Sequence, residues 1–175
     1  PQKELRDKIG FVPQKAFLFS GTIEENIRYG KEDASIEEVK HAASIAQADE
    51  FISDMEDKYD SFVAQGGNNL SGGQKQRISI ARALVRKPEV YVFDDSFSAL
   101  DFKTDKRLRK ALKNEIKDSS AIIIAQRIST IMDANQIIVL NDGKIVGIGK
   151  HKDLLENCEV YKQIADSQLS KEELA

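Results

Sequence analysis

The sequence predicts an α/β layered domain with a helical insert, and three observations carry that prediction. In the later part of the chain, short β-favouring runs alternate with segments of helical period, the pattern of layered α/β folds. Residues 90–93, Val-Tyr-Val-Phe, form an apolar run ending in acid, as in a parallel strand covered on both faces. Residues 15–70, by contrast, read almost entirely as helix and loop.

Taken in order, residues 8–12 are short and β-favouring and are closed by Pro13, whose ring removes a backbone donor. Thr22 with Glu25 three residues on has capping-box spacing and starts a short helix. Ser35 with Glu38 repeats that spacing, and Ile36, Val39, Ala42, Ala43 and Ala46, then Phe51 and Ile52, predict helix over 35–53 with a break near Asp49. Residues 65–69 read as a loop. A helix then runs over 71–86, with Ile78, Ala81, Leu84 and Val85 on its buried side, until Pro88 stops it. Helix 103–116, strands 121–125, 136–140 and 144–148, and helices to about residue 168 follow. Asn141-Asp142-Gly143 marks a hairpin between two of those strands, and the tail over 167–175 reads as frayed.

With 175 residues, 41% hydrophobic and 31% charged, the chain is long enough for one domain with a real core. Its 26 basic and 29 acidic residues leave a net charge of -3, which gives no general electrostatic case for nucleic acid or anionic membrane. No apolar run approaches the roughly 18 to 20 residues that span a bilayer, so a membrane link would go through a partner. No signal or transit segment is visible. The single cysteine, Cys158, cannot form an internal disulfide, suits a reducing compartment and argues against zinc. His41 and His151 lack metal-ligand partners at suitable spacing, Tyr161 reads as a packing residue, and Lys75 and Arg77 are expected to face solvent or a partner.

Two places carry chemistry. Leu70-Ser71-Gly72-Gly73-Gln74-Lys75-Gln76-Arg77 opens a helix whose first backbone N–H groups and dipole favour an anion. Gly72 and Gly73 let the main chain approach that anion, while Ser71 can cap the helix and donate its hydroxyl to a phosphate oxygen. Asp94 and Asp95 end the apolar strand, where open α/β sheets place ligand groups, and two neighbouring carboxylates there suggest a metal. A capped helix and a capping aspartate beside a solvated one are the plain structural alternatives.

The eight-residue run resembles the signature motif of ATP-binding cassette (ABC) ATPases, in which this helix end faces the γ-phosphate of ATP held by the opposite subunit. Residues 90–101, with Ser98-Ala99-Leu100-Asp101, resemble the family's Walker B strand and D-loop. The resemblance implies that Asp94 holds Mg2+ and that Asp101 sits at the subunit interface. Phe11-Val12-Pro13-Gln14 resembles the Q-loop, which implies that Gln14 touches Mg2+ and the attacking water. Residues 15–27, with Phe17, Phe19 and Asn26, resemble the exporter subtype, where such a segment receives coupling helices of the transmembrane domain; core packing is the alternative for both phenylalanines. Gln65-Gly66-Gly67 falls where exporters carry a second cross-contact loop but lacks the usual acid. The implied fold is a P-loop NTPase-like ABC ATPase fragment over about residues 3–165. Its α/β core would be 1–14 and 83–175, and its helical subdomain 15–82.

Two departures stand out. The residue after the Walker B aspartate, normally the glutamate that polarises water, is Asp95. One methylene fewer withdraws the carboxylate by roughly 1 Å, which can cost on the order of a hundredfold in rate. The switch position, normally histidine, is Gln126, which cannot carry charge or exchange a proton as imidazole does. The resemblance is therefore to the degenerate-site subunit of a heterodimeric exporter, with Asp95 and Gln126 in the catalytic positions of a slow site. Ser71, Gly72, Gly73 and Gln74 would serve the ATP site of a second, different nucleotide-binding domain at the cytoplasmic face of a membrane. No Gly-Lys-Ser/Thr phosphate loop is present, and the chain is expected to be the latter part of a longer protein. The alternatives are a non-catalytic binding or regulatory remnant and a chromosome-maintenance or repair ATPase. Against the latter stand the 17–27 segment and the absence of heptads or a basic stripe.

Overall fold

The computed structural model describes residues 1–169, and the chain divides into two compact units, Pro1–Ile124 and Ala125–Ala175. The expected frayed tail therefore resolves only in part: Ser167 and Gln168 complete a helix, and residues 170–175 lie outside the described residues.

In the first unit the strands β1 (Ile9–Val12), β4 (Val90–Asp94) and β5 (Ser120–Ile124) form a parallel sheet in the order β1-β4-β5. Tyr91 and Phe93 point into the core, with their rings stacked 6.0 Å apart. The opposite face is not covered among the described residues, contrary to the expectation for residues 90–93. There Phe11, Val92 and Ile122 lie side by side in register, with Phe11 56% and Ile122 54% exposed. Asp94 ends β4 on this open face, beside Ile124.

All three anticipated helix starts are capped. In α2 (Ile23–Arg28), α3 (Ile36–Ile45) and α5 (Gly72–Val85), the caps Thr22, Ser35 and Ser71 each form a reciprocal box with Glu25, Glu38 and Gln74. The break expected near Asp49 falls at residues 46–48, where Gln47 takes φ 58° before α4 (Asp49–Ser53) begins. α5 stops through Lys87 at φ 50°, one residue ahead of Pro88. Its packing against α2 requires Gly30, since a Cβ there would fall on the Arg82 carbonyl. α6 (Phe102–Glu115) is capped by Asp101.

Sequence reading missed a first helix, α1 (Gln2–Asp7), and a two-residue antiparallel pair, β2 (Gly21–Thr22) with β3 (Phe62–Val63). Neither has a periodic signal long enough to detect. A continuous apolar core including Val12, Leu18, Ile23, Ile27, Ile52, Ile78, Ile80 and Phe93 joins the sheet to the helices.

In the second unit a short helix α7 (Ile128–Ile131) precedes the hairpin of β6 (Ile137–Asn141) and β7 (Lys144–Gly149). The hairpin closes through Asp142 and Gly143 at φ 47° and 73°, the left-handed pair that a two-residue turn of this hand requires. Helices α8 (His151–Asn157) and α9 (Glu159–Gln168) follow. Ile128, Ile137, Val139, Leu154, Cys158, Tyr161 and Ala165 form this unit's core, and Tyr161 also bonds His151 Nδ1 at 2.7 Å.

Candidate functional site

The first candidate cluster is the N-terminus of α5. Ser71 Oγ accepts from the Gln74 backbone N–H at 3.2 Å, and Gln74 Oε1 accepts from the Ser71 N–H at 2.9 Å. The box uses an acceptor of each side chain, leaving the Ser71 hydroxyl proton and the Gln74 amide protons as donors at the helix end. Ser71 and Gly72 are exposed. A Cβ on Gly72 would meet no atom within 4 Å, and its φ is not in the left-handed region, so nothing inside the chain demands glycine there. A glycine held at a helix start without internal reason fits close approach by something outside. Gly73 differs, because its Cβ would stand 3.3 Å from the Ala99 carbonyl.

The second cluster lies where β4 ends. The half-buried Asp94 carboxylate makes no hydrogen bond or ion pair among the described residues. Asp95 has φ 44°, a left-handed conformation that Asp tolerates better than most residues. Its N–H donates to the Ile124 carbonyl at 2.8 Å, and its own carbonyl accepts from Ser98 Oγ at 2.8 Å. Gln14 Nε2 donates to Asp95 Oδ2 at 3.0 Å, so the structure brings together two residues separated by 81 positions in the chain. The backbone that aims Gln14 is held by buried groups: Ser96 Oγ donates to the Val12 carbonyl at 2.9 Å, and Gln76 Nε2 to the Pro13 carbonyl at 3.0 Å.

Asp101 caps α6, its Oδ1 accepting from the Thr104 N–H at 3.0 Å. Hydrogen bonding to Thr104 holds its carboxyl below the usual aspartate value. Gln126 lies in the second unit, exposed, with its carbonyl accepting from Gln168 Nε2 at 2.9 Å.

A third cluster is aromatic. Phe17 and Tyr29 are 50% and 65% exposed, against the core-packing alternative for Phe17. Phe19 lies between them, with ring centroids 5.4 Å from Phe17 and 4.5 Å from Tyr29. Beneath them, Arg82 from α5 donates to the carbonyls of Asn26 and Phe17 and to Asn26 Oδ1, all within 2.8–2.9 Å. Its guanidinium also stands 5.4 Å from the Phe19 ring centroid and 5.8 Å from that of Tyr29. Burial lowers its pKa, yet a guanidinium keeps its charge at neutral pH.

Arg77 corrects its sequence assignment. It does not point freely to solvent but packs over the Phe51 ring at 4.7 Å and donates to the Gln47 carbonyl at 2.7 Å, fastening the break between α3 and α4. Sequence reasoning gave no role to Gln76, Ser96, Arg82 or Tyr29. The available signal was a polar residue on a helix face otherwise filled by apolar ones, which marks Gln76 and Arg82.

Among the described residues no cluster of three or more His, Cys, Asp or Glu could hold a metal ion, and no helix is long and apolar enough to cross a membrane. Comparison with known proteins gives a consistent picture. The family model described as ABC transporter matches residues 1–98. The uncharacterized ABC transporter ATP-binding protein YfiB of Bacillus subtilis is 49% identical over 172 residues, which span 98% of this chain and 30% of that protein. ABC transporter B family member 2 of Dictyostelium discoideum is 45% identical over 165 residues, 94% of this chain and 12% of that protein. A solved bacterial Atm1-family ABC exporter with ATP bound superposes with a TM-score of 0.94 at 39% identity, covering 97% of this chain and 30% of that one. The chain thus spans at most about a third of the relatives it matches, and with the family model covering more than half of its 175 residues, it belongs to the ABC transporter family.

Proposed function

We propose that this chain is part of the nucleotide-binding domain of an exporter-type ABC transporter subunit that binds and hydrolyses ATP to drive export. In this reading residues 15–82 act as the helical subdomain carrying the signature, within an α/β core of 1–14 and 83–175. The signature end of α5 serves the ATP site completed by a different partner domain, while this chain's own site is slow. The observation that carries the reading is the coexistence of an exposed, reciprocally capped Ser71-Gly72-Gly73-Gln74 end with Asp95 and Gln126 in place of glutamate and histidine.

The residues present suit Mg2+ with ATP. Asp94 offers an unpartnered hard oxygen at a strand end and Gln14 an amide oxygen just past β1, and magnesium needs only one or two protein ligands beside phosphate and water. When bound, the ion would neutralise charge on the phosphates. The chain's own groups do the rest. Ser71, Gly72 and Gly73 orient the partner's phosphate through N–H and O–H donors, and Asp95 accepts the Gln14 amide, keeping the carboxylate aimed across the strand end. The exposed Phe17, Phe19 and Tyr29 rings, backed by Arg82, supply the apolar surface on which a transmembrane domain's coupling helix docks.

The test is ATP turnover of the full-length subunit co-expressed with its partner, comparing wild type with Ser71→Arg. Loss of turnover is expected, because an arginine side chain blocks the helix end. Unchanged turnover would show that this helix end serves no working site.

A further inference from the structure

Gln76 is 2% exposed, two residues past Gln74 on α5. An amide buried inside a helix face needs partners, and an apolar side chain of the same size would fill the space without that requirement. Its Nε2 donates to the carbonyl of Pro13, at 3.0 Å and 63 residues away in sequence. The preceding carbonyl, Val12, accepts from Ser96 Oγ, and Ser96 is wholly buried. Two successive carbonyls on the hinge that carries Gln14, Val12 at the end of β1 and Pro13 just past it, are therefore held by buried side chains. Ser96 ties the hinge to the end of β4, and Gln76 ties it to the phosphate-reading helix. Beyond the hinge, Gln14 reaches Asp95 at 3.0 Å.

From these contacts we propose that Gln76 is a positioning residue that transmits the placement of α5 to Gln14, so that the two nucleotide-facing ends of this chain move together. The inference rests on the proposed function, in which the two ends meet different ATP molecules. A helix is stiff over two residues, so a shift of the Ser71 to Gln74 end carries Gln76 with it. The Gln76 bond then passes the shift to Pro13, whose lack of an N–H leaves its carbonyl as its sole backbone hydrogen-bonding group. Gln14 follows directly, and the Gln14 to Asp95 contact lengthens or closes with it.

The experiment is a double-mutant cycle on ATP hydrolysis at this chain's own site, measured in the full-length, partner-assembled transporter with the partner's site inactivated. Gln76→Met keeps the side chain's length and removes the donor; Gln14→Ala removes the far end of the path. Each single substitution is expected to lower kcat by about tenfold with KM for ATP within about twofold, and the double variant should be no slower than Gln14→Ala. Effects that multiply to about a hundredfold would mean that Gln76 acts by packing alone and would overturn the proposal. Wild-type turnover in Gln76→Met with slow Gln14→Ala would overturn it while leaving the functional reading intact. Full turnover in Gln14→Ala would overturn both. Should Gln76→Met fail to assemble, Gln76→Glu replaces it. Its protonated carboxyl can still donate to Pro13, so turnover relative to wild type should recover as pH falls, and a flat ratio would refute the role.

Discussion

Gly72 offers the sharpest test of the helix end, because stability and function should move in opposite directions when it becomes alanine. A Cβ there meets nothing within 4 Å and the backbone is already helical, so Gly72→Ala adds no strain. Alanine in place of glycine at a helix position gains about 0.5 to 1 kcal/mol, at the lower end in the first turn, which slows local opening about two- to fivefold. The same methyl stands where a phosphate oxygen would approach the main chain. Losing one charge-assisted hydrogen bond costs about 1.5 to 3 kcal/mol, or roughly ten- to a hundredfold in turnover. Hydrogen exchange of the α5 amides in the full-length protein reads the first quantity, and ATPase turnover of the assembled transporter reads the second. Greater protection with lower turnover is expected. Greater protection with unchanged turnover would refute the argument that a ligand approaches Gly72, and reduced protection would show that the chain itself requires glycine there.

On the proposed reading, Asp95→Glu together with Gln126→His should raise turnover at this chain's site by at least about tenfold; no gain in single-turnover hydrolysis would refute the proposal that carboxylate reach limits that site. Arg82→Met removes three hydrogen bonds to Phe17 and Asn26 and should cost about 3 kcal/mol locally. Limited proteolysis within residues 17–29 would then quicken on the order of a hundredfold, and an unchanged cleavage rate would contradict the clamp. The bond from Lys31, joined by the Ser35 N–H, lowers the Glu38 carboxyl to about 2. A depressed carboxylate stabilises the fold above its ordinary value near 4.5 and loses that contribution as pH falls towards 2. Lys31→Met should therefore shift acid-induced loosening of α3 to higher pH, as read by hydrogen exchange; an unshifted onset would refute the pairing.

What the sequence revealed follows the range over which each signal acts. Capping boxes at Thr22 and Ser35, the Asp142-Gly143 turn and the apolar run of β4 are local, and each was readable because residue type and spacing suffice to define it. The pairing of β2 with β3 joins residues about 40 positions apart through two residues each, too short for any periodicity to show. The open sheet face was misjudged for a related reason. An apolar run states that a strand can be buried on both sides, but what covers each side is a property of other segments.

Among the residues that assemble the candidate site, α5 shows where sequence reasoning stops. Its apolar positions Ile78, Ala81 and Leu84 announce a buried stripe, and the helix is placed correctly from them. Gln76, Ser79 and Arg82 repeat every three residues on the same helix, and all three interrupt what a core-seeking pattern would fill with aliphatics. Gln76 and Ser79 are buried, and Arg82 is largely enclosed by its bonds to the aromatic segment. A polar residue on an inward face cannot persist without a partner, so the pattern alone implies distant acceptors. It does not identify them: Pro13 lies 63 residues before Gln76, and Phe17 lies 65 before Arg82. One helix thus presents the exposed, capped Ser71 end, holds the Pro13 carbonyl before Gln14 and grips the exposed aromatic surface. A displacement of α5 is felt at the Pro13 carbonyl and at the aromatic segment, because each is tied to it by a half-buried hydrogen bond rather than by apolar contact that could slide.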